Sequence, residues 1–199
     1  MFHELCHGFA AYLLGDDTAK RAGRLTLNPL KHVDVTGLIM MVVFRFGWAK
    51  PVPVNMARFK KPKWGMAVTA LAGPLSNLLL GFVFMFLYGA LYLPFAQSNA
   101  GSYLLQMLIL ATYITIGLAV FNFIPVPPLD GSKILFSVIS NEKYALLMRY
   151  ERYGMLALIA LVATGILGRP LSAAVSFLFS NIYVPVAMKT LGLVYNLFY

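Results

Sequence analysis

The chain has 199 residues, 60% of them hydrophobic and 12% charged, with a mean hydropathy of +0.76; soluble domains use roughly 45–50% apolar and about 25% charged residues, so an ordinary water-soluble globule is excluded and the bilayer is the expected solvent. The net charge of +9 would suit nucleic acid, but the bases bunch beside apolar stretches instead of covering a soluble face, so they read as membrane topology and no nucleic-acid partner is expected. The single cysteine, Cys6, excludes an intramolecular disulfide.

The first predicted element is a helix from Met1 to Leu14, ended by Gly15-Asp16-Asp17. It carries His3-Glu4-Leu5-Cys6-His7, the H-E-x-x-H pattern. On a helix the two histidines lie one turn apart on one face, so both imidazoles reach a single Zn²⁺ and Glu4 stands beside the water that such an ion activates. Glu4 is then the candidate general base, taking a proton from that water and passing it to the leaving amine. A shuffled chain of this composition shows the pattern on the order of once per thousand, and ionisable groups in an apolar helix cost about 2.5–3.5 kcal/mol each, which favours a functional reading over an incidental one. Cys6 reads as a small packing residue. The first residues lack a basic n-region, an apolar h-region and a small-residue cleavage pattern, so no removable signal peptide is expected.

From Arg24 to Asn55 the chain mixes β-branched residues with Pro and Gly, including Pro51-Val52-Pro53-Val54, and reads as extended edge strands or a re-entrant hairpin. Such an edge could hold a substrate, because a helical substrate must unwind to expose a peptide bond and an open strand would then pair with its freed backbone. His32 reads either as a loop histidine bonded to backbone or as a metal ligand or ligand's neighbour, and Asp34 as a solvated turn or as a carboxylate orienting a ligand histidine.

No charged residue occurs from Trp64 to Leu129, room for two crossings at about 20 residues each, with a turn over Pro94 to Gly101. A third apolar stretch, Tyr153 to Met188, is interrupted by Arg169-Pro170 and reads as one crossing followed by a second, incomplete segment. The expected fold is therefore an all-α polytopic membrane protein with about four or five membrane segments and a short re-entrant or edge-strand region, in one membrane-embedded domain over residues 1–199. Basic residues from Lys20 to Lys63 and from Lys133 to Arg152 flank the long uncharged stretch; the positive-inside rule puts both clusters in the cytoplasm and the turn near Gln97 outside. Residues 132–152 resemble a helix lying on the cytoplasmic surface.

Zinc hydrolases usually combine three protein ligands with one open position. The third ligand must come from His32, Asp16, Asp17, Asp34, Asp130, Glu142 or Glu151. Asp130 closes the run Asn122-Phe123-Ile124-Pro125-Val126-Pro127-Pro128-Leu129-Asp130-Gly131, whose prolines stop a helix and free backbone groups at membrane depth, a place where a polar site is tolerated. His3, His7 and His32 would be an equally sensible set for zinc. Asn77 could donate to a developing oxyanion or join helices inside the bundle.

With His3-Glu4-Leu5-Cys6-His7-Gly8, Asn28-Pro29-Leu30-Lys31-His32-Val33-Asp34, Lys50-Pro51-Val52-Pro53-Val54-Asn55, Ala72-Gly73-Pro74-Leu75-Ser76-Asn77 and the Asn122 to Gly131 run in this order, the sequence closely resembles the site-2 protease family of intramembrane zinc metalloproteases. The motifs span residues 3 to about 135, and the C-terminal membrane segments fall in 153–199. The resemblance implies that His3, His7 and Asp130 hold one Zn²⁺ per chain, that Glu4 activates water and that Asn122 polarises the scissile carbonyl. It implies a metalloendopeptidase of the cell membrane whose partners are the lipid bilayer and a transmembrane protein or peptide substrate. No PDZ or nucleotide-sensing domain is found, as in compact members. Members usually carry apolar residues ahead of the histidine pair, whereas here only Met1 and Phe2 precede it; a helix from Met1 to Leu14 reaches about 21 Å, short of a crossing. Either the natural start lies upstream or the Met1 amine sits beside the metal site. Two rival readings are a prenyl-protein protease with Glu142 or Glu151 as third ligand, and a non-catalytic or truncated membrane zinc-binding scaffold; the Glu4 base argues against the second, since a structural site needs none.

Overall fold

The computed structural model describes residues 1–44, 47–140, 142–143 and 151–198, and every regular element among them is helical. Arg45 and Arg149 of the basic clusters, and residues 141 and 144–150 of the expected surface helix, lie outside the described residues. The chain forms two compact units, Met1–Ser76 with Pro125–Gly154 and Asn77–Ile124 with Met155–Tyr199.

The first unit opens with α1 (Phe2–Leu13). It ends in a Schellman motif, with Gly15 at φ 101°, the Gly15 N–H on the Tyr12 carbonyl at 3.1 Å and the Asp16 N–H on the Ala11 carbonyl at 2.9 Å. Asp16 starts the short α2 (Thr18–Arg21) by accepting the Thr18 N–H at 3.0 Å. The apolar α3 (Val35–Phe44) is N-capped by Asp34, whose carboxylate accepts the Gly37 N–H at 3.0 Å and the Thr36 hydroxyl. The expected edge strand is absent from the described residues: 47–55 is irregular, Pro51 and Pro53 have no N–H to give a ladder, and the N–H groups of Lys50, Val52 and Asn55 are bonded elsewhere, as described below. After a 3₁₀ turn at Met56–Arg58 the chain enters α4 (Pro62–Phe95). Pro125 to Leu129, with a cis Pro127–Pro128 peptide, leads into α6 (Asp130–Phe136).

The second unit holds the later part of α4, α5 (Asn99–Asn122) with Ser98 as its N-cap, and α7 (Glu151–Ala163) from Met155 onward. A break at 164–167, with Gly165 at φ 70°, precedes α8 (Gly168–Leu178), a π turn (Phe179–Tyr183) and α9 (Val184–Phe198), which form one continuous span. Pro170 falls in the first turn of α8, where its missing N–H costs little. Pro185 falls inside the span, and the π turn just before it absorbs the lost hydrogen bond. Three helices are long and apolar enough to cross a membrane, Pro62–Phe95, Asn99–Asn122 and Gly168–Phe198, with a shorter apolar helix at Tyr153–Ala163. The order of the last two reverses the expectation: the incomplete segment precedes Arg169-Pro170 and the long one follows. Met85, Ile116, Tyr183 and Ala187 form the core of this unit, and the buried Tyr183 hydroxyl donates to the Leu78 carbonyl at 3.0 Å.

Candidate metal centre

The H-E-x-x-H helix and the turn that begins α6 deliver three ligand-type side chains to one place within the first unit. His3 Nε2 and His7 Nε2 are 3.0 Å apart, and Asp130 Oδ2 lies 3.0 Å from the former and 3.1 Å from the latter. Among the described residues this is the group of three His, Cys, Asp or Glu whose ligand atoms converge, and His7 and Asp130 are buried. Their spacing fits a tetrahedral ion, whose ligands about 2.0–2.1 Å from the metal stand about 3.3 Å from one another.

The chemistry of the donors makes the stronger test. His7 Nδ1 lies 2.7 Å from the Thr69 carbonyl, which only accepts, so this nitrogen carries the ring proton and the neutral ring turns the lone pair of Nε2 inward. That lone pair meets a second Nε2 and a carboxylate oxygen. With His3 in the tautomer that also turns its Nε2 lone pair inward, three lone pairs converge on one point, the donor set that a divalent cation takes. Asp130 divides its oxygens, with Oδ2 on the histidines and Oδ1 3.6 Å from Lys133 Nζ.

Two backbone features make room for the cluster. A Cβ on Gly73 would lie 2.4 Å from His7 Cε1 and Nε2 and 2.6 Å from His3 Cε1, so only glycine lets α4 approach the two rings. Pro74 follows it, and Thr69, whose carbonyl orients His7, sits in the turn before this proline. Glu4 is anchored on the same helix: its Oε2 accepts the Val52 N–H at 3.0 Å. The 50–55 segment that supplies this donor is itself tied down. Lys50 N–H donates to the His32 carbonyl at 2.9 Å, the Arg24 guanidinium donates to the Lys50 carbonyl at 2.7 Å, and the Asn55 N–H donates to Asp16 Oδ2 at 2.6 Å.

Comparison with known proteins gives the family. A Bacillus subtilis protein named "Putative zinc metalloprotease YwhC" is 42% identical over 168 residues, 81% of this chain and 75% of the relative. The chain belongs to peptidase family M50, the site-2 proteases. The model named Peptidase family M50 matches residues 89–165. Two similarly named relatives, Rip2 of Mycolicibacterium smegmatis and MJ0611 of Methanocaldococcus jannaschii, are 28% and 33% identical over 84% and 68% of this chain, which spans 64% and 63% of their lengths. No solved structure gives a significant match. As an M50 member the chain belongs to a family of zinc metalloproteases.

The other residues singled out in this M50 sequence are placed as follows. Buried Asn77 and half-buried Asn122 belong to the second unit; the Asn122 amide donates to the Leu118 carbonyl of its own helix at 2.9 Å. His32 is buried outside the cluster, with Nε2 on the Thr26 carbonyl at 2.9 Å, the arrangement of a loop histidine bonded to backbone. Asp34 caps α3, and Cys6 lines an apolar groove with Phe2, Leu5 and Phe9. Sequence reasoning did not identify the Thr69 carbonyl, the Val52 N–H or the Asp16 contact with Asn55. The first two are backbone groups, which any residue carries, and Asp16 was weighed only as a ligand.

Proposed function

We propose that this chain is an intramembrane zinc endopeptidase, with His3, His7 and Asp130 holding one Zn²⁺ per chain and Glu4 as general base, acting on transmembrane or membrane-adjacent protein substrates. The observation that carries the reading is the convergence of three lone-pair donors beside Glu4. Zinc held there supplies Lewis-acid charge that brings the pKa of water down to about 7. The remaining steps belong to the chain. Val52 N–H fixes one oxygen of Glu4, leaving Oε1 to take the proton from water and return it to the leaving nitrogen. Thr69 keeps the His7 ring in the tautomer that offers Nε2 inward. Asn122 and Asn77 serve the scissile carbonyl and the oxyanion.

In this reading the protein is a multi-pass protein of the cell membrane with about four or five membrane segments, the basic loops facing the cytoplasm. The ten-residue α3, about 15 Å long, serves as a re-entrant segment; Val35, Val42 and Val43 on it are exposed, as lipid-facing side chains would be. The test is zinc per chain in detergent-purified protein, together with turnover of a model transmembrane substrate. The unmodified chain and His32→Ala are expected to carry near-stoichiometric zinc, Asp130→Ala to lose it, and Glu4→Gln to keep zinc without turnover. Zinc lost with His32→Ala and kept with Asp130→Ala would replace Asp130 as ligand, and full turnover in Glu4→Gln would remove the general base.

A further inference from the structure

An open pocket of about 660 Å³ lies between the end of α1 and the start of α4, lined by Leu13, Leu14, Gly15, Phe59, Lys60, Lys61, Trp64 and Gly65, all within the first unit. Its floor is apolar: Phe59 is buried and packs where a side chain on Gly65 would otherwise stand. Its walls are apolar but open, with Leu13 69% and Trp64 60% exposed. One rim is basic. Lys60 and Lys61 have no ion-pair partner among the described residues, whereas their neighbours are committed, Lys63 to the Ile139 carbonyl and Arg58 to Asp17.

The position along the chain gives this pocket its depth. The uncharged run begins at Trp64, directly after the lysines, and α4 is a membrane-length helix that starts at Pro62. An indole at the end of an apolar helix with lysines just beyond it is the usual arrangement at a membrane–water boundary. A pocket there meets headgroups on its lysine side and acyl chains on its leucine and tryptophan side.

We propose that this pocket binds an anionic phospholipid, its phosphate between Lys60 and Lys61 and an acyl chain along Leu13, Leu14, Phe59 and Trp64. Two uncompensated ammonium groups on one rim call for net negative charge, which a zwitterionic headgroup does not supply. A free phosphate ion would answer the lysines but leave the apolar remainder unfilled, so the occupant is a lipid. The site needs α4 to start at a membrane surface and needs nothing of the peptidase chemistry.

The chain contains two tryptophans, so Trp48→Phe leaves Trp64 as the sole reporter in the full-length protein. It is reconstituted in phosphatidylcholine vesicles containing a minor fraction of phosphatidylglycerol brominated on its acyl chains, and in matched vesicles where brominated phosphatidylcholine is the minor fraction. At about 1 kcal/mol per lysine near an anionic surface, the two lysines should make brominated phosphatidylglycerol occupy the site about thirtyfold more readily and quench Trp64 correspondingly more. The preference is expected to vanish in Lys60→Gln/Lys61→Gln, to weaken in either single variant, to persist in Lys20→Gln/Lys31→Gln, and to withstand added inorganic phosphate. Equal quenching by the two lipids, or a preference that survives loss of both pocket lysines, would overturn the proposal. Displacement by inorganic phosphate would overturn it in favour of a soluble anion. If the double variant misfolds, as read by circular dichroism, the single variants decide.

Discussion

Replacing Asp16 tests whether the H-E-x-x-H helix and the 50–55 segment are held together as the structure indicates. Asp16 is fully buried and accepts the Thr18 N–H at 3.0 Å, the Thr18 hydroxyl at 2.5 Å and the Asn55 N–H at 2.6 Å, with Arg58 Nε 3.9 Å away. Hydrogen bonds to a charged group contribute about 1.5–3 kcal/mol each, but Thr18 is only partly buried and Asn55 is exposed, so water recovers part of the loss in Asp16→Ala and about 3 kcal/mol remains. For a chain of this size that lowers Tm by about 6–12 °C. The pH dependence gives an independent check. Burial pushes the Asp16 pKa up, but the bonds from Thr18 and Asn55 and the charge of Arg58 outweigh it, leaving the carboxyl below its usual range. A depressed folded pKa means that the stabilisation is fully present above the unfolded value of about 4 and is lost as pH falls through the lower folded value. Thermal unfolding in detergent as a function of pH should therefore show Asp16→Asn approaching the unmodified protein as pH drops below about 4. A Tm for Asp16→Ala within about 2 °C of the unmodified chain, or parallel pH curves for Asp16→Asn and the unmodified chain, would refute the reasoning.

Gly73→Ala puts a methyl group 2.4 Å from the His7 ring; zinc content by mass spectrometry should fall at least tenfold, because the rings must move about as far as a ligand bond tolerates. Val52→Pro removes the N–H that holds Glu4; zinc should stay while turnover of a model transmembrane substrate falls about tenfold, the worth of one hydrogen bond to a charged group. Chelator treatment would withdraw an ion held by His3, His7 and Asp130; Tm should fall and recover on adding zinc, by about 4 kcal/mol equivalent where zinc stands at a thousand times its Kd.

The sequence carries the all-helical, membrane-length character because it resides in composition and in an uncharged run from Trp64 to Leu129, quantities that need no tertiary information. The pairing of His3 with His7 is equally local, set by helical spacing. Asp130 joins them from 123 residues beyond His7, and nothing local separates it from His32, which is why the two stayed open as ligands until their positions were known. The strand reading of Pro51 to Val54 failed for a tertiary reason. Alternating valines between prolines look extended, and the segment does run without helix, but the N–H groups of Lys50, Val52 and Asn55 go to the His32 carbonyl, Glu4 and Asp16 instead of a neighbouring strand. The lengths of the last two apolar helices are the reverse of the sequence expectation because Arg169-Pro170 interrupts the apolar run without ending a full crossing: Pro170 falls in the first turn of α8, where proline is an initiator.

The buried polar groups of the first unit sort into two sets by what they hold. His7 and Asp130 face each other in the candidate metal cluster, while the Asp16 and Arg24 side chains grip the 50–55 segment through the Asn55 N–H and the Lys50 carbonyl, and the backbone carbonyl of His32 accepts the Lys50 N–H. Burying such groups in an apolar chain is costly unless they find partners, and here the Asp16 carboxylate and the Arg24 guanidinium both find one on this short stretch of backbone. That stretch contacts the candidate base through Val52 and does not contribute a ligand. Damage to the grip should therefore reach turnover through the orientation of Glu4 while leaving zinc in place, and damage at Gly73 should remove zinc first. On the proposed function, holding the ion and aiming the base would fall to different parts of the same unit, which meet at the turn of α1 that carries His3, Glu4 and His7.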